Sequence, residues 1–256
     1  MGEFVRLEVD EGVGLIRLDR PPANAFDTEM GRELIARVRD AGERSDVGAV
    51  VVWGGHKLFA AGADLRTLAE ADAAQARPQV DALGEACDLL ESLPKISIAA
   101  INGYALGGGL EVALACDLRY AAVDARLGQP EIKLGVIPGA GGTQRLLPLI
   151  GAGRARDLVY TGRLVDAEEA LRIGLVEKIL PAEKVLEAAT ADARSFAAGP
   201  RQALAAAKAA IAAATHTPGP VGIGRERALF LDLFGTPDQR EGMAAFLQKR
   251  PPSFGA

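Results

Sequence analysis

Ile96-Ser97-Ile98-Ala99-Ala100-Ile101-Asn102-Gly103-Tyr104-Ala105-Leu106-Gly107-Gly108-Gly109-Leu110-Glu111-Val112-Ala113-Leu114-Ala115-Cys116 is the stretch on which the fold turns. On length alone it could span a bilayer. Asn102, Gly103, the glycines at 107 to 109 and Glu111 interrupt it, and such an interruption suits a buried strand, a tight turn and a core helix instead. Ile96–Ile101 then reads as an apolar strand and residues 110–114 as a helix that carries an ionisable group into an apolar setting. Residues 118–123 return as a strand.

The same alternation extends outward. Residues 4–9 and 14–18 place apolar side chains around Asp10-Glu11-Gly12, which predicts two strands and a turn. Asp27 can cap a helix whose Leu34, Ile35 and Val38 share one face and which ends near Arg44. A buried strand at 49–53 follows, and a helix over 77–93 is closed by Pro94. From Gly141 the chain turns helical, with Asp166 as a cap and Gly174 as a stop before a last strand at 175–180. Repeated strand-turn-helix units favour an α/β architecture. Ala-rich residues 201–214, the breaker Thr217-Pro218-Gly219-Pro220, and a final helix begun by Thr236 with Pro237 at its first position describe a helical appendage. The division is expected near residue 195, giving a core of residues 1–195 and a helical region of 196–256.

Composition removes several function classes. At 256 residues the chain fits one large domain or a main domain with an appendage. A net charge of -5 leaves no basic footprint for nucleic acid. Cys87 and Cys116 cannot form a disulfide framework or a multi-cysteine metal site, and their apolar surroundings predict buried free thiols in a reducing compartment. The opening Met1-Gly2-Glu3-Phe4-Val5-Arg6 lacks the layout of a secretory signal and the Ser/Thr of a myristoylation site, so a cytoplasmic location off the membrane is expected. There is no Walker-type Gly-Lys-Ser/Thr, no Gly-x-Ser-x-Gly elbow and no His-Glu-x-x-His. His56 and His216 lie far apart, which argues against a histidine metal cluster.

Taken alone, the glycines at 107–109 and 139–142 read as tight turns packed against a neighbour. Taken alone, Glu111 reads as a helix glutamate and Glu131 as a loop carboxylate paired with a residue such as Lys133. Their order adds content: Phe59-Ala60-Ala61-Gly62-Ala63-Asp64-Leu65 comes first and Ala105-Leu106-Gly107-Gly108-Gly109-Leu110-Glu111 second. Gly128-Gln129-Pro130-Glu131-Ile132-Lys133-Leu134-Gly135 with Pro138-Gly139-Ala140-Gly141-Gly142 comes third. In this order the segments resemble the crotonase family, the enoyl-coenzyme A hydratases and isomerases, with the hydratases nearest. Arg20-Pro21, Asn24-Ala25, Thr143-Gln144-Arg145-Leu146, Thr161-Gly162-Arg163 and Glu241-Gly242-Met243 extend the likeness over nearly the whole chain. The stretch from Arg20 to Ala25 is one residue shorter than the common hydratase pattern, and Arg66 stands where lysine is frequent.

The resemblance implies a crotonase-like spiral of repeated strand-strand-helix units with a C-terminal helical region, assembled as a homotrimer or a dimer of trimers. It implies reversible hydration of a 2-enoyl-coenzyme A to a 3-hydroxyacyl-coenzyme A in fatty-acid or related acid breakdown. Coenzyme A is then part of the substrate, and no metal or redox cofactor is called for. Adding water to the enoyl thioester drives negative charge onto the thioester oxygen, where backbone N–H donors can stabilise it. By resemblance those donors belong to Ala63 and Gly108, the latter beside the positive end of a helix dipole. Glu111 and Glu131 match the pair that activates water and supplies the α-proton, and Gly139 matches a glycine whose N–H helps hold that water. Ala23, Ala61, Asp64, Leu65 and Arg66 match the coenzyme A groove, and Arg66 could meet a phosphate. Phe230 and Lys249 resemble residues that reach the coenzyme from an adjoining subunit. A double-bond isomerase, which needs one carboxylate, and a noncatalytic acyl-coenzyme A binding subunit are the rival readings.

Overall fold

A computed structural model describes residues 3–216 and 219–254. The expectations drawn on Met1-Gly2 and Thr217-Pro218 therefore lie outside the described residues. Strand β1 (Val5–Asp10) pairs antiparallel with β2 (Val13–Leu18), Val5 opposite Leu18. Asp27 caps α1 (Thr28–Glu43) by accepting from Met30 N, and Met30, Leu34, Ile35, Val38 and Ala41 make its buried face. β3 (Ala49–Trp53) is buried throughout, as its unbroken apolar run requires. The short α2 (Leu65–Leu68) precedes α3 (Ala73–Ser92).

Helix α3 begins at Ala73 rather than Arg77, because Asp72 and Gln75 close a reciprocal capping box. Pro78 consequently lies inside the helix, where it removes one bond from the ladder. β4 (Ile96–Ile101), β5 (Tyr104–Leu106), α4 (Gly108–Ala115), β6 (Leu118–Ala122) and β7 (Arg126–Gly128) follow. A 3-10 turn, Pro130–Leu134, leads to α5 (Gly142–Ile150), α6 (Ala152–Thr161), β8 (Leu164–Asp166), α7 (Ala167–Ile173) and β9 (Lys178–Leu180). The last strand is shorter than its apolar pattern suggests, since Leu175 and Val176 are buried in the connection that precedes it.

The strands form a six-stranded sheet in the order β1-β2-β3-β4-β6-β9, parallel from β2 onward, and a small sheet β5-β7-β8. Helices α1 and α3 pack together, and α8 (Val185–Ala197) lies on β3 and β4. The core between these layers is closed by Ile16, Leu34, Leu90, Ile98, Ile101 and Leu127, all fully buried. Helix α9 (Arg201–His216) is tied to this core by Lys208, whose Nζ donates to Asp117 Oδ2 at 2.8 Å. α10 (Gly219–Asp232) packs on α9, and α11 (Pro237–Leu247) follows, capped by Thr236. Among the described residues no helix is long and apolar enough to cross a membrane.

Candidate active site

Three segments lie side by side and end together. Ala60 bridges Ala105, Phe26 bridges Ala63, and Leu106 N donates to Ala60 O at 3.0 Å. On the other side β5 pairs in parallel with β7, Leu106 opposite Gly128, and Gly107 N donates to Gly128 O at 3.0 Å. Past this register the chain leaves the small sheet twice at the same end. After β5 it enters α4, which carries Glu111; after β7 it enters the 3-10 turn, which carries Glu131. The carboxyl ends of parallel strands are where open α/β folds bind ligands, and both acids are delivered to one such end.

Glu111 is 2% exposed, and its Oε1 accepts from Ala140 N at 2.7 Å and Gly142 N at 2.8 Å. Burial raises its carboxyl above the ordinary value, against the opposing pull of those two N–H groups and of the Arg145 charge. Glu131 is half-buried. Burial pushes its carboxyl up to about 7; a bond to its own backbone opposes the rise and the Glu111 charge adds to it. Its carboxyl lies against the start of α4: a Cβ at Gly107 would stand 2.8 Å from Glu131 Oε1. Gly107 also has φ +50°, so both the backbone and the neighbour demand glycine. The fully buried Gln129 amide, oriented so that both its ends are satisfied, donates to the two Glu131 oxygens at 2.9 and 3.1 Å.

The Ala63 and Gly108 amides sit beside each other, and Gly108 directly follows Gly107, against which Glu131 lies. A Cβ at Gly108 would be 3.7 Å from Ala63 N, and one at Gly62 would be 3.8 Å from Gly108 N. Gly108 opens α4, where an N–H has no partner in its own helix. Among the described residues neither N–H donates to another group of the chain. Two such donors near a helix start can receive a developing negative charge.

The remaining expected residues divide into groups. Ala61 N donates to Ala23 O at 3.0 Å, which joins those two, and Ala61, Leu65 and Arg66 are exposed along the same rim. Asp64 points inward at 4% exposure, with its oxygens taken by Arg20 Nη1 at 3.0 Å, Arg66 Nε at 3.0 Å and Arg66 Nη2 at 2.7 Å. These bonds hold its carboxyl well below the usual carboxylate range. As the cap of α2 it fixes the turn that presents Ala63. Gly139 is exposed and directly precedes Ala140, the residue whose N–H reaches Glu111. Phe230 and Lys249 are exposed in the tail, where Phe230 packs edge-on against Phe234 and Lys249 N donates to Phe246 O. The single chain does not bring these two to the acids by the contacts they make. Two contributors had no assigned role in the sequence reading, Gln129 and Arg145; the only signal for Gln129 was its place two residues before Glu131. Among the described residues no group of three or more His, Cys, Asp and Glu side chains is gathered to hold a metal ion.

Two carboxyl groups in unequal environments beside a pair of free amides can move protons to and from carbon or water next to a stabilised oxyanion. The family model for enoyl-CoA hydratase/isomerase matches residues 8–256. The chain belongs to that family. The hydratase/isomerase fold is equally plain in solved structures. Pseudomonas aeruginosa DspI superposes with a TM-score of 0.95 at 40% identity, covering 99% of this chain and 97% of that one. Enoyl-CoA hydratase from Bacillus anthracis gives a TM-score of 0.94 at 39% identity over 98% of this chain and 99% of that one. A Mycobacterium tuberculosis protein named "Probable enoyl-CoA hydratase echA8" is 42% identical over 259 residues, 98% of each chain. The crotonase-type fold expected from the motifs, an α/β core followed by helices, is therefore the fold of this member of the hydratase/isomerase family.

Proposed function

We propose that the chain reversibly hydrates a 2-enoyl-coenzyme A to a 3-hydroxyacyl-coenzyme A. One observation carries the reading: Glu111 and Glu131 are delivered to one end of neighbouring parallel strands, Glu131 against Gly107 at the start of α4, where the adjacent amides of Ala63 and Gly108 have no partner among the described residues. Glu111, ionised with the help of two N–H groups, takes a proton from water as the oxygen bonds to the β-carbon. The electron pair of the double bond shifts toward the thioester oxygen, which Ala63 and Gly108 hold as an enolate. Glu131, with its carboxyl near 7, delivers its proton to the α-carbon. Water is thereby added, and the two carboxyls return to their starting states by exchange with solvent. Because the carboxyls interact, their pH dependence belongs to the pair.

Coenzyme A enters as part of the substrate along the Ala23, Ala61, Leu65 and Arg66 rim, and no other cofactor is assigned. The protein is cytoplasmic in this reading and acts as a homotrimer or a dimer of trimers. Residues 196–256 form the assembly region, whose exposed Phe230, Phe246 and Leu247 favour burial against another copy. The test is turnover of crotonyl-coenzyme A by purified protein. Glu131→Gln should lower kcat by about 10²- to 10⁴-fold with thioester binding retained, and Glu111→Gln should be impaired to a similar degree. Wild-type turnover in both variants would remove the mechanism. Conversion between positional double-bond isomers without hydration would favour the isomerase.

A further inference from the structure

Arg145, on α5, is almost enclosed, with 9% of its side chain exposed. Its guanidinium spans two elements. Nη2 donates to Asp88 Oδ1 and Glu91 Oε2 on α3, each at 2.8 Å, and Nε donates to Glu91 Oε2 at 3.1 Å. In the opposite direction Nη1 donates to the carbonyl of Ala140 at 2.8 Å. Ala140 is the residue whose own N–H grips Glu111 Oε1 at 2.7 Å. The guanidinium is thus one peptide away from the buried acid.

The turn is shaped around this contact. A Cβ at Gly141 would lie 2.0 Å from Arg145 Nη1, and Gly141 has φ +105°, so no other residue leaves the guanidinium its place. A cavity of about 560 Å³ lies against Asp88, Glu91, the 139–141 backbone and Arg145, so small solutes can reach the far side of the turn.

We propose that Arg145 is a positioning residue for Glu111: it pins the Ala140 carbonyl to α3, thereby aims the Ala140 and Gly142 N–H groups at the carboxylate, and sets a positive charge behind them. The proposal rests on the hydration reading only for its kinetic consequences. The ionisable groups facing Glu111 are few. α3 contributes Cys87, kept a thiol by burial, with Asp88 and Glu91 behind Arg145; the 3-10 turn contributes Glu131; β4 has none, and β5 has only the exposed Tyr104. Among the described residues Arg145 is the cation that acts on Glu111. A lysine there keeps the charge but lacks the planar fork that serves three acceptors at once.

The experiment compares wild type with Arg145→Met, Arg145→Lys and Arg145→Ala. Losing the charge makes the carboxylate less favourable, so more proton must be removed from solution before Glu111 ionises. In Arg145→Met the acidic limb of kcat/KM should rise by about one pH unit, with kcat lower by roughly 10- to 100-fold and KM within about twofold. Arg145→Lys should keep the wild-type limb with an intermediate kcat. Guanidinium ion at millimolar concentration should restore part of the turnover of Arg145→Ala, where sodium chloride does not. The titration of the Glu111 carboxyl carbon, followed by NMR and assigned with Glu111→Gln, should move upward with the loss of Arg145 whether or not the chain hydrates enoyl thioesters. A folded Arg145→Met with an unmoved Glu111 titration and an unmoved acidic limb overturns the proposal. If Arg145→Met does not fold, Arg145→Lys decides, and a wild-type kcat there overturns it. Absence of hydration by wild type, with the Glu111 titration still shifting, would sink the proposed reaction and leave this one standing.

Discussion

Replacing Gly107 by alanine adds one methyl group where the proposed reaction can least accommodate it. The new Cβ would stand 2.8 Å from Glu131 Oε1 and 3.5 Å from its carboxyl carbon, inside normal contact distance, on a backbone with φ +50° and ψ -124°. Holding a non-glycine residue in such a conformation costs about 1–3 kcal/mol. In a chain of this size that corresponds to a fall in Tm of roughly 4–8 °C for a loss of about 2 kcal/mol. The larger effect is on rate. To escape the methyl group the Glu131 carboxyl must retreat from the start of α4 and from Gln129, and misplacement of a reacting group on this scale costs about 100-fold. Gly174→Ala supplies the control, since Gly174 has φ +81° and a Cβ there would meet only Leu149 O at 3.6 Å. Initial rates of crotonyl-coenzyme A hydration and thermal melts of both variants separate the effects. Both should melt below wild type, and only Gly107→Ala should lose kcat. A Gly107→Ala protein that melts lower yet turns over within about twofold of wild type would refute the seating of Glu131 against α4 as a requirement of the chemistry.

The carboxyl of Glu131 is held above its unfolded value, so the folded state binds the extra proton and stability falls as pH rises from about 4.5 to about 7. Glu131→Gln, neutral at every pH, should therefore be more stable than wild type at pH 8 by about 1 kcal/mol after screening, and not at pH 4, as read by urea unfolding. Asp64 has the opposite sign: held low by Arg66 and Arg20, its contribution is present above the unfolded value near 3.8 and is lost as pH falls through the folded one. Asp64→Asn should cost about 1.5–3 kcal/mol at pH 7 by weakening the charged hydrogen bonds to Arg66 and Arg20, the latter still paired with Asp27, with the difference shrinking in acid, and should also lower kcat by loosening the turn that bears Ala63. Cys87 and Cys116 are buried thiols, the latter pushed up to about 12 by burial and the neighbouring Asp117. Alkylation at pH 8 should leave both unlabelled until the protein is unfolded, which mass spectrometry of native and denatured samples checks.

Elements that express one strong local pattern were legible in the sequence. β3 and β4 are continuous apolar runs and were bounded to the residue, and α1 was found from Asp27 and the Leu34, Ile35, Val38 face. The small sheet was not legible, because β5, β7 and β8 have three residues each and alternation cannot register over so short a span. The expected helix over 77–93 starts four residues late, because the cap that Asp72 and Gln75 close is a side-chain contact lying upstream of the apolar face. The acids themselves stood out as carboxyls inside glycine-rich motifs, and the resemblance paired them. Local pattern could not have done so: their meeting depends on Leu106 standing opposite Gly128, a long-range register that neither segment encodes alone.

That register also explains why the two acids differ, which no reading of residue types could foresee. Glu111 comes after a helix start and is met by a second turn, 139–142, whose N–H groups point at it and whose carbonyl is tied to Arg145. Every one of those contacts favours the ionised form. Glu131 comes after a 3-10 turn, receives the Gln129 amide, and makes no ion pair among the described residues; it sits instead within reach of the Glu111 charge. Two carboxyls close enough for one charge to act on the other cannot both remain ionised without cost. Burial raises both carboxyls, and in the proposed reaction the proton is assigned to Glu131, which has no cation like Arg145 acting on it. The proposed hydration assigns base and acid to two residues of the same type by what each strand end happens to face, and its direction of proton flow rests on that difference.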